Sequence, residues 1–190
     1  MTRMLIIGPP GAGKGTQAAR ISERLGVTAI STGDIFRSNV KELTPLGVEA
    51  KKYIDAGNFV PDSVTNSMVR SRLQDNDVEP GFLLDGYPRT VAQVDELDDI
   101  LAGKGQKLDA VLLLTADDDE LVARLLRRAE LEGRSDDTED VIRHRLDLYK
   151  EQTADVVARY EDRGIVTRVD GLGGIDEVTE RVMEALKDIR

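Results

Sequence analysis

A strand that runs into a glycine-rich loop and out into a helix leaves few architectures open, and residues 4–25 have this form. Met4-Leu5-Ile6-Ile7 is continuously apolar, as a strand covered on both faces should be. It enters Gly8-Pro9-Pro10-Gly11-Ala12-Gly13-Lys14-Gly15-Thr16, and Thr16 to Leu25 then reads as a helix closed by Gly26. Glycines let successive backbone N–H groups turn toward one anion, and a helix N-terminus adds the positive end of its dipole. Lys14 supplies a mobile charge for the outer phosphates of a nucleotide. The general phosphate-loop pattern places Ser or Thr directly after the lysine, whereas Gly15 intervenes here before Thr16. The bland alternative is a glycine-rich turn that happens to end in a basic residue, and the flanking strand and helix speak against it.

Composition narrows the partners. A chain of 190 residues with 40% hydrophobic and 33% charged content fits one globular domain with a full core. Its 26 Lys and Arg against 36 Asp and Glu give a net charge of −10, which argues against nucleic acid as partner or substrate. A local arginine cluster can still hold a small anion. The sequence has no cysteine and one histidine, so no zinc site is expected. Met1 to Gly8 is too short for a secretory signal, and no apolar run reaches membrane-spanning length, so a cytoplasmic protein without membrane contact is expected.

Along the chain, short apolar runs alternate with amphipathic stretches, which predicts an α/β fold with a parallel sheet. The expected strands are 4–8, 28–31, 81–85, 110–115 and 165–170, the last alternating more and so nearer an edge. Helical spacing recurs over 46–56, 64–73, 90–104, 118–128 and 174–189, and Thr138 can cap a long helix to Arg163. Val141, Ile142, Leu146, Tyr149, Val156, Val157 and Tyr160 form its expected core stripe. Residues 32–60 exceed one crossover and read as a helical insertion; Ala129 to Asp137 interrupts the chain before the long helix.

Asp85 ends an apolar strand, where open α/β sheets place ligands, and such an acid commonly organises Mg²⁺ through water. Its alternative is a turn former before Gly86. Arg89 follows Gly86-Tyr87-Pro88, a Pro-fixed turn, and could hold a second phosphate or make a surface ion pair. Ser31-Thr32-Gly33-Asp34 reads as a helix cap with Arg37 one turn on. Thr90 and Gln93 fit a capping box. His144 lies among arginines on a charged helix face, and Tyr53, Tyr149 and Tyr160 read as packing residues.

Together these stretches resemble the adenylate kinase family, whose members convert ATP and AMP into two ADP. Gly8 to Thr16 (Gly15 included), Ser31 to Asp34 with Arg37, Asp85 to Thr90 with Gln93, and Gly133-Arg134-Ser135-Asp136-Asp137 occur in the family's order, and the likeness runs to Gly173. It implies a five-stranded P-loop NTPase-type sheet with an NMP-binding insertion at about 31–60 and a short lid at about 128–137. On the ATP side it implies Gly11, Ala12, Gly13, Lys14, Gly15 and Thr16 around the phosphates, with Arg124, Arg128 and Gly173. On the AMP side it implies Thr32, Arg37, Asn58, Phe59, Val60, Gly86, Tyr87, Pro88, Arg89 and Gln93. Arg134 and Arg145 would bridge the phosphates, with Asp136 or Asp137 holding those arginines. Asp85 would orient Mg²⁺ carried by ATP. Lys14, Arg89, Arg128, Arg134 and Arg145 would act in catalysis, in a monomer. Ala129-Glu130-Leu131-Glu132 departs from the usual short lid, could extend the preceding helix, and leaves Arg127 or Arg128 to face ATP. The rivals are a CMP or UMP kinase and a nucleotide-binding switch without phosphotransfer; Thr32 and Gln93 favour adenine.

Overall fold

A computed structural model describes residues 2–56, 58, 60–133 and 138–189. The chain runs β1 (Thr2–Ile7), α1 (Lys14–Leu25), β2 (Thr28–Ser31), α2 (Thr32–Lys41), α3 (Pro45–Asp55), α4 (Asp62–Arg72), β3 (Gly81–Asp85) and α5 (Val91–Ala102). It continues through β4 (Ala110–Thr115), α6 (Asp118–Glu132), α7 (Glu139–Asp162), β5 (Val166–Asp170) and α8 (Ile175–Leu186). The five strands form one parallel sheet in the order β2-β3-β1-β4-β5, so β5 is an edge as its alternation predicts. Among the described residues no helix is long and apolar enough to cross a membrane.

The apolar strands serve two cores because successive side chains leave a strand on opposite faces. Leu5, Phe82, Leu84 and Val111 pack with Val94 and Leu97 of α5 and Met68 of α4. Met4, Ile6, Leu83 and Leu112 pack with Ile21 of α1, Leu121 of α6 and Val182 of α8. The long α7 joins the two: Ile142 and Leu146 enter the second core, Val156 and Tyr160 the first. Val141 of its expected stripe is instead exposed in the first turn.

Helix starts follow their caps. Ser31, Thr44, Thr90, Asp117 and Thr138 each accept a backbone N–H at the start of the next helix. The main departure from sequence expectation is α6, which continues four residues past Arg128. Ala129, Glu130, Leu131 and Glu132 are good helix formers, and the helix stops only at Gly133, whose φ of 65° is left-handed.

Candidate active site

A parallel sheet brings the carboxyl ends of all five strands to one edge. From central β1 the chain crosses to β2 and β3 on one side and later to β4 and β5 on the other, which opens a crevice at the end of β1. The glycine-rich loop fills this position. Gly13 precedes α1 with a φ of 76° and carries no side-chain cap, so the first-turn N–H groups of α1 are left to an outside acceptor. A Cβ on Gly13 or Gly15 would meet no atom within 4 Å; both residues border open space. The register Ile6↔Asp85 sets the Asp85 carboxylate beside the loop. Lys14, the first residue of α1, holds its Nζ 2.6 Å from Asp85 Oδ1.

A cleft of about 900 Å³ opens beside Lys14. It collects Lys14, Arg89, Arg124, Arg128 and Arg145 from four separate elements, with the Gly86–Pro88 turn and Gly173 also on its wall. Arg124 donates from Nη1 to the Gly11 carbonyl at 3.0 Å, bracing the loop from α6. One turn on, Arg128 lines the cleft while Arg127 does not, and its Nε lies 3.5 Å from Glu132. Arg145 belongs to a stripe on α7 with Leu148, Tyr149, Gln152 and Thr153, all facing the cleft. Burial pushes the Tyr149 phenol up to about 12. At the far end, Arg181 donates to the carbonyls of Asp170 (3.0 Å) and Leu172 (2.6 Å), which fixes the turn that carries Gly173. Gln17, 3% exposed, donates to the Ile175 carbonyl and accepts from the Thr179 hydroxyl.

The β2–β3 side is held together differently, by side-chain hydrogen bonds between distant elements. Gly86 has a φ of 88°, and a Cβ there would fall 2.5 Å from Thr32 Oγ1. The Gly86 carbonyl accepts from Arg89 Nε at 2.9 Å and from the Thr32 hydroxyl at 3.4 Å. The Tyr87–Pro88 peptide is cis, and the Tyr87 hydroxyl, pushed upward in pKa by burial, donates to Asn66 Oδ1 at 2.7 Å. Thr90 caps α5, its Oγ1 accepting from the Gln93 backbone N–H, but the Gln93 side chain does not close the capping box back onto Thr90. The Gln93 amide is instead engaged at both ends: Oε1 accepts from the Arg89 N–H at 2.7 Å, and Nε2 donates to Asp62 Oδ1 at 2.9 Å.

Thr32, Arg37, Asn58, Val60 and Gln93 do not line the 900 Å³ cleft. Thr32 and Gln93 touch its wall through Gly86 and Arg89. Arg37 is largely exposed and hydrogen-bonds Asp34, which holds that carboxyl below the usual carboxylate range. Asn58 is exposed, with its N–H on the Tyr53 carbonyl, and Val60 packs half-buried against the first core. Phe59, Arg134, Asp136 and Asp137 lie outside the described residues. His144 is exposed, away from the cleft wall.

A model of the family described as "Adenylate kinase" matches residues 6–165. The chain belongs to the adenylate kinase family. A protein named adenylate kinase from Kocuria rhizophila is 76% identical over 98% of this chain and 100% of its own length. An adenylate kinase from Pseudarthrobacter chlorophenolicus is 75% identical over 98% of this chain and 97% of its own. One from Renibacterium salmoninarum is 70% identical over 100% of this chain and 98% of its own.

Within this adenylate kinase fold, sequence reasoning passed over several cleft residues. Tyr149, read as packing, lines the cleft with Leu148, Gln152 and Thr153. Their spacing from Arg145 was the available signal, since one arginine on a helix face aims its whole stripe the same way. Gln17 and Arg181 left no comparable trace: each acts through a loop carbonyl far away in sequence.

Proposed function

We propose that this cleft carries the reversible transfer of the terminal phosphoryl group of ATP to AMP, giving two ADP, as the family name and the relatives' names suggest. The observation that carries the reading is the convergence of one lysine and four arginines from opposite walls on a helix N-terminus with no side-chain cap. Phosphoryl transfer needs this: charge spreads over the oxygens of the moving group, and a protein accelerates it chiefly by positioning and electrostatics.

In this reading the ATP phosphates lie along Gly11–Thr16 with Arg124 and Arg128, and the adenine end lies near Gly173. AMP lies toward Gly86–Arg89, its phosphate on Arg89 and Arg37, its base near Thr32, Asn58–Val60 and Gln93. Lys14 leaves Asp85 and follows the transferred group, while Arg145 and Arg134 bridge the two phosphates. An AMP phosphate is already an anionic nucleophile, so no side chain has to act as base. Closure of residues 31–60 and 128–137 over the cleft would exclude water and so prevent hydrolysis.

The donor set fits Mg²⁺. Asp85 and the Thr16 hydroxyl offer hard oxygens at the loop. Among the described residues no cluster of three or more His, Asp or Glu forms a dedicated metal cage, which suits an ion carried mainly by the nucleotide. Bound to the ATP phosphates, Mg²⁺ would neutralise charge; Asp85 would hold it through its waters. We read the protein as a monomeric cytoplasmic enzyme of adenine-nucleotide homeostasis.

The test is ADP formation from Mg·ATP with AMP, CMP, UMP or GMP in turn. AMP should give by far the highest kcat/KM. A higher value with CMP would overturn the adenine assignment, and ATP binding without turnover on any monophosphate would favour a switch.

A further inference from the structure

Gln93 is 6% exposed, and its amide sits between two partners on different elements. A side-chain amide has ends of opposite polarity and nearly equal shape, so contacts alone do not decide which way it faces. Here both partners have fixed polarity. The Arg89 backbone N–H, 2.7 Å from Oε1, can only donate. The Asp62 carboxylate, 2.9 Å from Nε2, can only accept when ionised. Turning the amide over would set donor against donor at Arg89 and acceptor against acceptor at Asp62, leaving a buried amide unsatisfied.

We propose that Asp62 is a specificity-determining positioning residue: by fixing the Gln93 amide it dictates which purine base edge the acceptor pocket takes. This rests on the reading above that Gln93 faces the AMP base. Each end of the amide keeps capacity beyond its anchor, one lone pair on Oε1 and one hydrogen on Nε2, so anchoring and base reading are compatible. Adenine presents an amino donor beside a ring-nitrogen acceptor. Hypoxanthine presents the same shape with polarity reversed, a carbonyl acceptor beside a ring N–H donor. An amide free to turn serves both, whereas a fixed one rejects the second by leaving its polar groups mismatched. Asp62 is well placed to act as the stop. It is the first residue of α4, directly after Pro61, and Asn66 one turn later holds Tyr87 of the same turn. The polarity of the pocket is thus set jointly by the Arg89 N–H of the turn and by Asp62 of α4, and Asp62 is the partner whose side chain a substitution can change.

The test measures kcat/KM with AMP and with IMP, at saturating Mg·ATP, for the wild-type chain, Asp62→Asn, Asp62→Glu and Gln93→Met. Asparagine keeps the shape but can donate or accept. Asp62→Asn should raise the IMP-to-AMP ratio by about five- to tenfold, the scale of one misdirected hydrogen-bond pair. The KM for ATP should stay at its wild-type value, and Asp62→Glu should restore discrimination. If Gln93→Met raises the ratio while Asp62→Asn does not, the inference about Asp62 is wrong and the base-reading role of Gln93 stands. If Gln93→Met leaves the ratio unchanged, the base-reading role falls and the inference falls with it.

Discussion

The floor of the cleft and the α2–α3 region beside it are built on different terms. The floor hangs from β1, the central strand, and α1 buries Gln17, Ala18, Ile21 and Ser22 beneath the loop. In contrast, α2 buries only Thr32 and Ile35, and α3 only Gly47 and Ala50. Leu43, Val48 and Ile54 of that region stand exposed. A segment with so little buried apolar surface has a low free energy of local opening, whereas the floor can open only with the core. The floor is therefore the more rigid half, and the proposed closure falls to the α2–α3 half.

The largest effect should come from the floor itself. On the role proposed for Lys14, Lys14→Ala should lower turnover by about 10²-fold or more. Near-normal turnover would remove Lys14 from the mechanism. Next comes stability. Ile21→Ala, at a fully buried site in the core under the loop, should cost about 2–5 kcal/mol in urea unfolding. Ile54→Ala, at an exposed site, should cost less than about 0.5 kcal/mol. Equal costs would break the contrast between the halves. Thr44→Ala removes the α3 cap and should cost about 1 kcal/mol. It should also speed amide exchange in α3 with no change under α1.

The smallest effects concern pH, and they run in opposite directions. Tyr149 is raised by burial to about 12, so its contribution is complete below the ordinary value of 10.0 and is lost as pH rises toward 12. Tyr149→Phe should flatten the alkaline fall of stability. Asp34 is lowered by its hydrogen bond to Arg37, so its small, solvent-screened contribution is complete above 3.8 and lost as pH falls through the depressed value. Asp34→Asn should flatten the acid limb slightly, by lowering stability a little at neutral pH and leaving it unchanged below the depressed value.

The same contrast governs what the sequence revealed. The floor is contiguous, so Met4 to Thr16 could be read as strand, loop and helix, and the five strands followed from their apolar runs. The other half is assembled across long separations. Gln93 meets Asp62, Tyr87 meets Asn66 and Thr32 meets Gly86 through single hydrogen bonds that leave no periodic signal. Thr90 with Gln93 was legible as a cap because capping is local; the second use of the same side chain, on Asp62, was not. Ala129 to Glu132 left two readings open, an interruption before the lid or an extension of the helix, and four good helix formers take the second.

The central claim is that two separately built halves hold two different nucleotides in one cleft. The most direct test is calorimetric titration of Arg89→Ala with AMP and, separately, with Mg·ATP. The account predicts that AMP affinity collapses while ATP affinity stays close to wild type, because Arg89 belongs to the Gly86 turn and not to the loop. Equal losses for both nucleotides would contradict it.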